Sequence, residues 1–350
     1  MKAKKILKEK RILLLFVLVS MVFASVMFAF APRALSRKVK FFDKSGQASI
    51  GTDKEGARRN FLLLGRDNSS GLTDVIMLLS LDGANNCLNI LQIPRDTYAE
   101  YVERGYRKIN GAYNSLGGAE AVCSFLSNAF AMDIEGYAVF DLNSFAKAVD
   151  MIGGVEVDIP FDMEYRDPYQ DLHISIPSGR QMLDGKLAEQ FVRYRFGYVR
   201  GDLGRIDAQK LFMSALFEKL SHGISKATLL RVATSLVDEI DTNVGITDAI
   251  SLATSVISLS AERINMLTLS GEDVRSETSG AWFFVISKSA AFEQLSEYMG
   301  AEADTLGFDS RGAFLNEASE KFAQIYNAYI PYSVSNASEI NQNGITIEKN

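Results

Sequence analysis

Phe61–Ile93 reads FLLLGRDNSSGLTDVIMLLSLDGANNCLNILQI. Three apolar runs stand out: FLLLG (61–65), VIMLLSL (75–81) and CLNILQI (87–93). Each is too short for a buried helix and is bounded by turn residues, which predicts three buried strands. Asp82-Gly83, followed by Asn85-Asn86, predicts a hairpin-like reversal between the second and third. Polar residues gather at the ends of the runs. Gly65-Arg66-Asp67 closes the first, Thr73-Asp74 opens the second, and Pro94-Arg95-Asp96 closes the third. Strand pairing then brings Asp67, Asp74, Arg95 and Asp96 to one rim, where open α/β sheets bind ligands. Two carboxylates beside a phosphate suit Mg2+, which takes few protein ligands and keeps phosphate and water oxygens. Taken singly, each acid is more often a turn or capping residue.

Downstream of these runs the pattern alternates. Lys108-Ile109-Asn110 precedes a helical spacing of Val122, Phe125, Leu126, Ala129 and Phe130. YAVFD (137–141) reads as a strand, and Asn143–Ile152 as a helix stopped by Gly153-Gly154. VEVDIP (155–160) alternates like a half-buried strand. FDMEYRDPYQD (161–171) reads as a surface loop and Leu172–Ile176 as a strand. Asp184 is placed to cap a helix from Gly185 to about Val192. Further helices are expected near 226–239 and 246–259, strands at RINMLTL (263–269) and AWFFVI (281–286), then a helix with Phe292, Leu295 and Met299. After one short amphipathic piece, Phe314–Tyr329, the Ser/Asn-rich end reads as mobile. Strand and helix in alternation predict an α/β domain.

Within this domain, Val192–Gln209 is VRYRFGYVRGDLGRIDAQ, with Arg193, Arg195, Arg200 and Arg205 among three glycines. Arginines on a glycine turn that feeds a helix N-terminus suit a phosphate-rich group. Arg193 and Arg195 share a face only if the chain leaves helix near Phe191–Arg193. Asp202 is placed to cap the next helix, and Arg205 and Gln209, four apart, lie on one face of it.

The N-terminus adds a location. Residues 1–11 carry a net +5 of the chain's −6, so the remainder carries −11. Ile12–Ala31 is uncharged and apolar for twenty residues. At about 1.5 Å each they reach about 30 Å, a bilayer core. Basic residues before this run predict a cytoplasmic N-terminus and an exported body. A cleaved signal peptide is the alternative, since Ala29-Phe30-Ala31 resembles a cleavage site. The expected organisation is a basic segment (1–11), a transmembrane helix (12–31), a stalk (32–59), a catalytic domain (60–300) and a partly helical tail (301–350). An acidic body will not bind nucleic acid through its overall field.

The chemistry available is narrow. The two histidines, His173 and His222, support no nucleophile–histidine arrangement, and no glycine-rich nucleotide loop is present. Cys87 and Cys123 form no metal or redox motif, although a disulfide between them stays open. Arginines and aspartates without a protein nucleophile fit phosphoryl transfer. For an exported domain a lipid-linked phosphate is the sensible donor.

The stretches LTDVIMLLSL, ILQIPRDTYAEY, KINGAYNSLGG, GGVEVDIPFDM, DLHISIPSGRQMLDG and VRYRFGYVRGDLGRIDAQ, in this order, resemble the LytR-CpsA-Psr family of cell-envelope proteins. The resemblance implies one central mixed β-sheet flanked by helices in three α-β-α layers, behind one transmembrane helix. It implies an enzyme that moves an anionic glycopolymer, of teichoic acid or capsule type, from undecaprenyl pyrophosphate to peptidoglycan, at the muramic acid 6-hydroxyl. Asp67 and Asp74 match the Mg2+-binding aspartates, with Mn2+ as a substitute. Arg95, Arg193, Arg195, Arg205 and Gln209 match the pyrophosphate-binding residues. Lys108 is placed with them, and Asp96 and Asp202 join Arg95 as catalytic candidates. Leu72 departs from the family, which often has arginine there; Arg66 is the candidate to supply that charge. Two rivals remain: a lipid-pyrophosphate hydrolase using water, and a non-catalytic polyprenyl-phosphate-binding regulator or scaffold.

Overall fold

The computed structural model describes residues 58–101, 107–167, 172–221, 259–302 and 320–343, with 228, 231–232, 235, 239–244, 256, 313–314, 345, 347 and 349. The basic segment, the apolar segment 12–31 and nearly all of the stalk lie outside the described residues, as do His222 and most of the helices expected at 226–239 and 246–259. Among the described residues no helix is long and apolar enough to cross a membrane.

The strands are β1 (Arg58–Arg66), β2 (Thr73–Asp82), β3 (Cys87–Gln92), β4 (Gly136–Asp141), β5 (Val155–Ile159), β6 (Met163–Asp167), β7 (Leu172–Ile176), β8 (Gly179–Leu183), β9 (Asp241–Thr242), β10 (Ile264–Thr268), β11 (Gly271–Arg275), β12 (Trp282–Ile286) and β13 (Ser335–Asn336). The helices are α1 (Ala112–Leu116), α2 (Ala119–Phe130), α3 (Leu142–Met151), α4 (Gly185–Arg193), α5 (Asp202–Ser221), α6 (Lys288–Gln294), α7 (Glu320–Asn327) and α8 (Ala337–Asn343).

The three apolar runs are the heart of a seven-stranded sheet, ordered β13-β10-β3-β2-β1-β4-β9. β1, β2 and β3 run antiparallel in turn, and Asp82 faces Cys87 across the expected reversal. β4 lies parallel to β1 and β10 parallel to β3, so the sheet is mixed. Successive residues of a strand point to opposite faces. Phe61, Leu63, Met77, Leu79, Leu88 and Ile90 therefore meet α3, α4, α5 and α8 on one side. Leu62, Leu64, Ile76, Leu78 and Leu91 meet α1, α2, α6 and α7 on the other. Both faces are covered, which gives the three layers and explains why β1 and β2 are apolar almost throughout.

Local chemistry sets the helix starts. Asp184 caps α4 by accepting the Leu187 amide at 2.8 Å. Asp141 and Ser144 form a reciprocal capping box on α3, with the Ser144 amide 2.8 Å from Asp141 Oδ1. Gly204 in α5 has no alternative: a Cβ there would lie 2.5 Å from the Tyr198 Cβ, so only glycine lets the preceding turn fold onto the helix.

Several elements differ from expectation. Residues 163–167 form β6 and pair with β7 where a loop is expected. β5 joins β8 in a two-stranded ribbon outside the main sheet. The chain end is folded: β13 extends the sheet beside β10, and the Ser214 hydroxyl donates to the Ala337 carbonyl at 2.6 Å, tying α8 to α5. Its signal is weak because only Ala337 and Ile340 of this polar segment are buried. Cys87 and Cys123 are both free thiols. Burial pushes Cys123 up to about 12, which keeps it an inert core residue.

Candidate active site

The rim is built where β1, β4, β3 and β10 end and β2 begins. Arg95, just beyond β3, sits at its centre. Its Nη1 lies 2.6 Å from Asp74 Oδ1, and its Nε lies 3.3 Å from Asp202 Oδ1. Burial disfavours the Arg95 charge, but Asp202 and Asp74 outweigh burial and raise its pKa. Arg205 is 4% exposed. Its Nη2 donates to the Asp74 carbonyl at 3.2 Å and pairs with Asp202 Oδ1 at 3.0 Å. Asp202 thus sits in the first turn of α5 rather than capping it, and its carboxylate bridges two arginines. The Arg205 Nε is buried without a hydrogen-bond partner. A buried unsatisfied donor costs about 1–3 kcal/mol and is a ready contact for an incoming oxygen.

Asp96 and Lys108 form their own pair at 2.9 Å, with the Lys108 ammonium 5.7 Å from the Phe283 ring centroid. Gln209 donates from Nε2 to the Val192 carbonyl at 3.0 Å and accepts from Gln92, which fixes α5 against the end of α4. Arg193 ends α4 and pairs with Glu189 at 2.8 Å. Tyr194 is extended, so the chain leaves helix where the arginine spacing requires. Arg195 is not brought to the others: it is exposed and has no hydrogen bond or ion pair among the described residues. Arg200 is also peripheral, with its exposed side chain 3.0 Å from Asp207.

Asp67 closes β1. It accepts the Ser69 amide at 2.9 Å, the Ser69 hydroxyl at 2.7 Å and the Ser70 hydroxyl at 2.8 Å. Burial favours its neutral form, but these bonds outweigh burial and hold the carboxyl below its usual range. Asp67 and Asp74 line the same cavity, together with Arg66, Arg193, Arg205 and Gln209. Beneath this polar mouth the lining is apolar: Val75, Met77, Phe140, Phe145, Phe212 and Met213. The slot is about 80 Å3. Arg66 leans on the Tyr113 ring at 5.3 Å and donates to Asn68 at 3.2 Å, so its charge reaches the mouth. A larger groove of about 1050 Å3 lies at the opposite end of β1, beside Arg58 and Asn60, away from every residue named above.

The donor set fits a Mg2+ ion. Asp67 is held ionised, and Asp74 pairs with Arg95 through one oxygen only, leaving the other for a ligand. No group of three or more His, Cys, Asp or Glu side chains that could hold a metal forms among the described residues, and Mg2+ takes few protein ligands.

Sequence reasoning missed contributors in two places. Phe140 and Asp141 line the slot because β4 is parallel to β1, a pairing that an isolated YAVFD run does not announce. Asp273, on β11, is the other. Burial, Asp202 and Asp96 together push its carboxyl up to about 6, although its edge reaches solvent. β11 lacks an apolar pattern, so nothing marked it as a strand.

Comparison with known proteins places the chain. The chain is 28% identical over 218 residues to the polyisoprenyl-teichoic acid–peptidoglycan teichoic acid transferase TagV of Bacillus subtilis, covering 61% of this chain and 56% of that protein. It is 29% identical over 255 residues to the transferase TagU of Oceanobacillus iheyensis, 71% of this chain and 77% of that one. The crystal structure of B. subtilis TagV superposes with a TM-score of 0.59 at 25% identity, covering 71% of this chain and 99% of that one. The LytR_cpsA_psr family model matches residues 29–299, and the chain belongs to that family.

Proposed function

We propose that this chain is a membrane-anchored, extracytoplasmic phosphotransferase. It moves an anionic glycopolymer from a polyprenyl-pyrophosphate carrier to a peptidoglycan hydroxyl, with the muramic acid 6-hydroxyl as acceptor. One observation carries the reading: the buried Arg205 and the half-buried Asp67, Asp74 and Arg193 line the same slot as Val75, Met77, Phe140, Phe145 and Phe212. Such a site matches an amphiphile whose anionic head joins an apolar tail. TagV and TagU, both named as polyisoprenyl-linked teichoic acid transferases to peptidoglycan, support it.

Arg95 and Arg205 bind the pyrophosphate and stabilise the charge that develops during transfer. Their present partners, Asp74 and Asp202, hold both guanidinium groups in place while the site waits. Arg193 exchanges Glu189 for a phosphate oxygen at the slot side, and Arg195 reaches in from the surface. Gln209 holds the first turns of α5 in place. Asp67 and Asp74 would hold Mg2+, which neutralises phosphate charge. Lys108 holds Asp96 in an ion pair at the far edge. The slot takes the first atoms of the tail as it stands. A long tail needs α3 and α5 to part, and each buried CH2 then contributes about 0.8 kcal/mol.

The test is transfer by the full chain in detergent micelles, given lipid-linked glycopolymer, peptidoglycan oligomers and Mg2+. Expected is glycan on peptidoglycan, with Arg193→Ala and Asp74→Ala sharply slower. No transfer by wild type, or undiminished transfer by both variants, overturns the reading. Release of free glycan at the same rate without acceptor selects the hydrolase instead.

A further inference from the structure

The slot and the β11–β12 hairpin engage different elements around Arg95. The slot lies against β1 and β4, lined by Gly65, Phe140 and Leu142. The hairpin follows β10, the strand that pairs with β3, and forms a two-stranded sheet of its own. Its strand β12 docks on the loop that carries the site: the Phe284 amide donates to the Asp96 carbonyl at 2.9 Å, and the Tyr98 amide to the Phe284 carbonyl at 2.8 Å. Asp273 faces Phe284 across the hairpin, and Arg275 faces Trp282. Paired residues and their second neighbours share a face, so Asp273, Arg275 and Trp282 point the same way. Trp282 is 58% exposed and lies two residues, roughly 7 Å, beyond Phe284.

Phosphoryl transfer holds the attacking and leaving oxygens roughly in line. If the carrier phosphate departs toward the slot, the acceptor must arrive from the other side, along this hairpin. The carboxylates already described are committed. Asp74 pairs with Arg95, Asp96 with Lys108, and Asp202 with Arg95 and Arg205. Asp67 is engaged by Ser69 and Ser70. Asp273 has no ion pair or hydrogen bond among the described residues. Asp202 faces it from α5, Asp96 and Lys108 from the loops after β3, and Arg200 from the turn before α5.

On the transferase reading above, we propose that the β11–β12 hairpin is the acceptor subsite: Asp273 accepts the proton of the attacking glycan hydroxyl, and Trp282 carries a sugar ring of the acceptor chain. The hydroxyl oxygen forms a bond to the sugar-side phosphorus. The bond from that phosphorus to the bridging oxygen breaks, and polyprenyl phosphate leaves with the electron pair. The hydroxyl proton goes to the Asp273 carboxylate, which returns it to solvent through its exposed edge. A carboxyl displaced toward neutral pH is a stronger base than an ordinary carboxylate. Trp282 offers a flat apolar face where the ring arrives, and Arg275 offers donors beside it.

The test uses the full chain with lipid-linked glycopolymer and peptidoglycan oligomers, and measures acceptor KM, kcat, pH profile and donor binding separately. Asp273→Asn is expected to lower kcat about 100-fold, within the range of general-base loss. It should abolish the acid limb near pH 6 and leave donor binding unchanged. Asp273→Glu should recover part of the rate. Trp282→Ala should raise acceptor KM about five-fold at unchanged kcat, and Trp282→Phe should restore it. Circular dichroism checks that each variant is folded. If wild type transfers no glycan, the transferase reading itself fails. If wild type transfers while Asp273→Asn keeps both rate and acid limb, or Trp282→Ala keeps its acceptor KM, the hairpin proposal fails alone.

Discussion

The two sides of Arg95 are built from opposite materials. Toward β4 the lining is Val75, Met77, Phe140, Phe145 and Phe212, closed to about 80 Å3. Toward β3 and β12 it is Asp96, Lys108, Asp202 and Asp273, an ionic set of which Asp273 reaches solvent. One sheet serves both because its ends carry loops of different chemistry while its faces stay apolar. The difference teaches which half of a split substrate each side can take. A hydrocarbon tail gains free energy only on the first side, and a hydroxyl can lose a proton only on the second.

The comparison can be broken at either side. Phe212 is 1% exposed and packs at 5.5 Å against Phe145, so it belongs to the slot and to the core at once. Phe212→Ala should lower unfolding free energy by about 3–5 kcal/mol, measured by chemical denaturation. A loss under about 1 kcal/mol would mean that the slot wall is not part of the core. Arg95→Ala removes the divider itself. It should slow transfer by about 10²–10³-fold, the scale of one lost charge-stabilising donor, in single-turnover assays with folding intact.

A smaller effect sharpens the slot side. Asp141 caps α3 at the slot mouth. Burial favours its neutral form, but hydrogen bonds from Ser144 and Asn68 outweigh burial and depress its pKa in the folded state. A depressed carboxylate stabilises above its unfolded pKa of about 3.9, and the contribution disappears as pH falls through the folded value. Asp141→Ala should therefore cost about 1 kcal/mol at pH 7 and nothing resolvable well below pH 3.9. Denaturation curves for both proteins across that window check it.

Much of this was legible in the sequence, for physical reasons. Strand runs bounded by turns set β1, β2 and β3, and polar residues at their ends set the rim. The glycines of Val192–Gln209 announced the break between α4 and α5. Two things were hidden. The pairing of β4 with β1 depends on a parallel crossover, which leaves no local mark, so Phe140 and Phe145 could not be assigned to the slot. β11 has only Val274 buried, because its other face serves the rim, so Asp273 had no pattern to reveal it. Arg195 follows the helix end that its spacing from Arg193 requires, yet its side chain is exposed and meets no hydrogen-bond or ion-pair partner among the described residues.

The most direct measurement of the account follows one oxygen atom. The full chain is given lipid-linked glycopolymer and a peptidoglycan oligomer whose muramic 6-hydroxyl carries 18O, and the products are read by mass spectrometry. Attack on the sugar-side phosphorus, with the carrier leaving toward the slot, predicts 18O in the new glycan–peptidoglycan phosphodiester and none in the released polyprenyl phosphate. Label attached to the polyprenyl phosphoryl group, or a glycan product released without label, would contradict it.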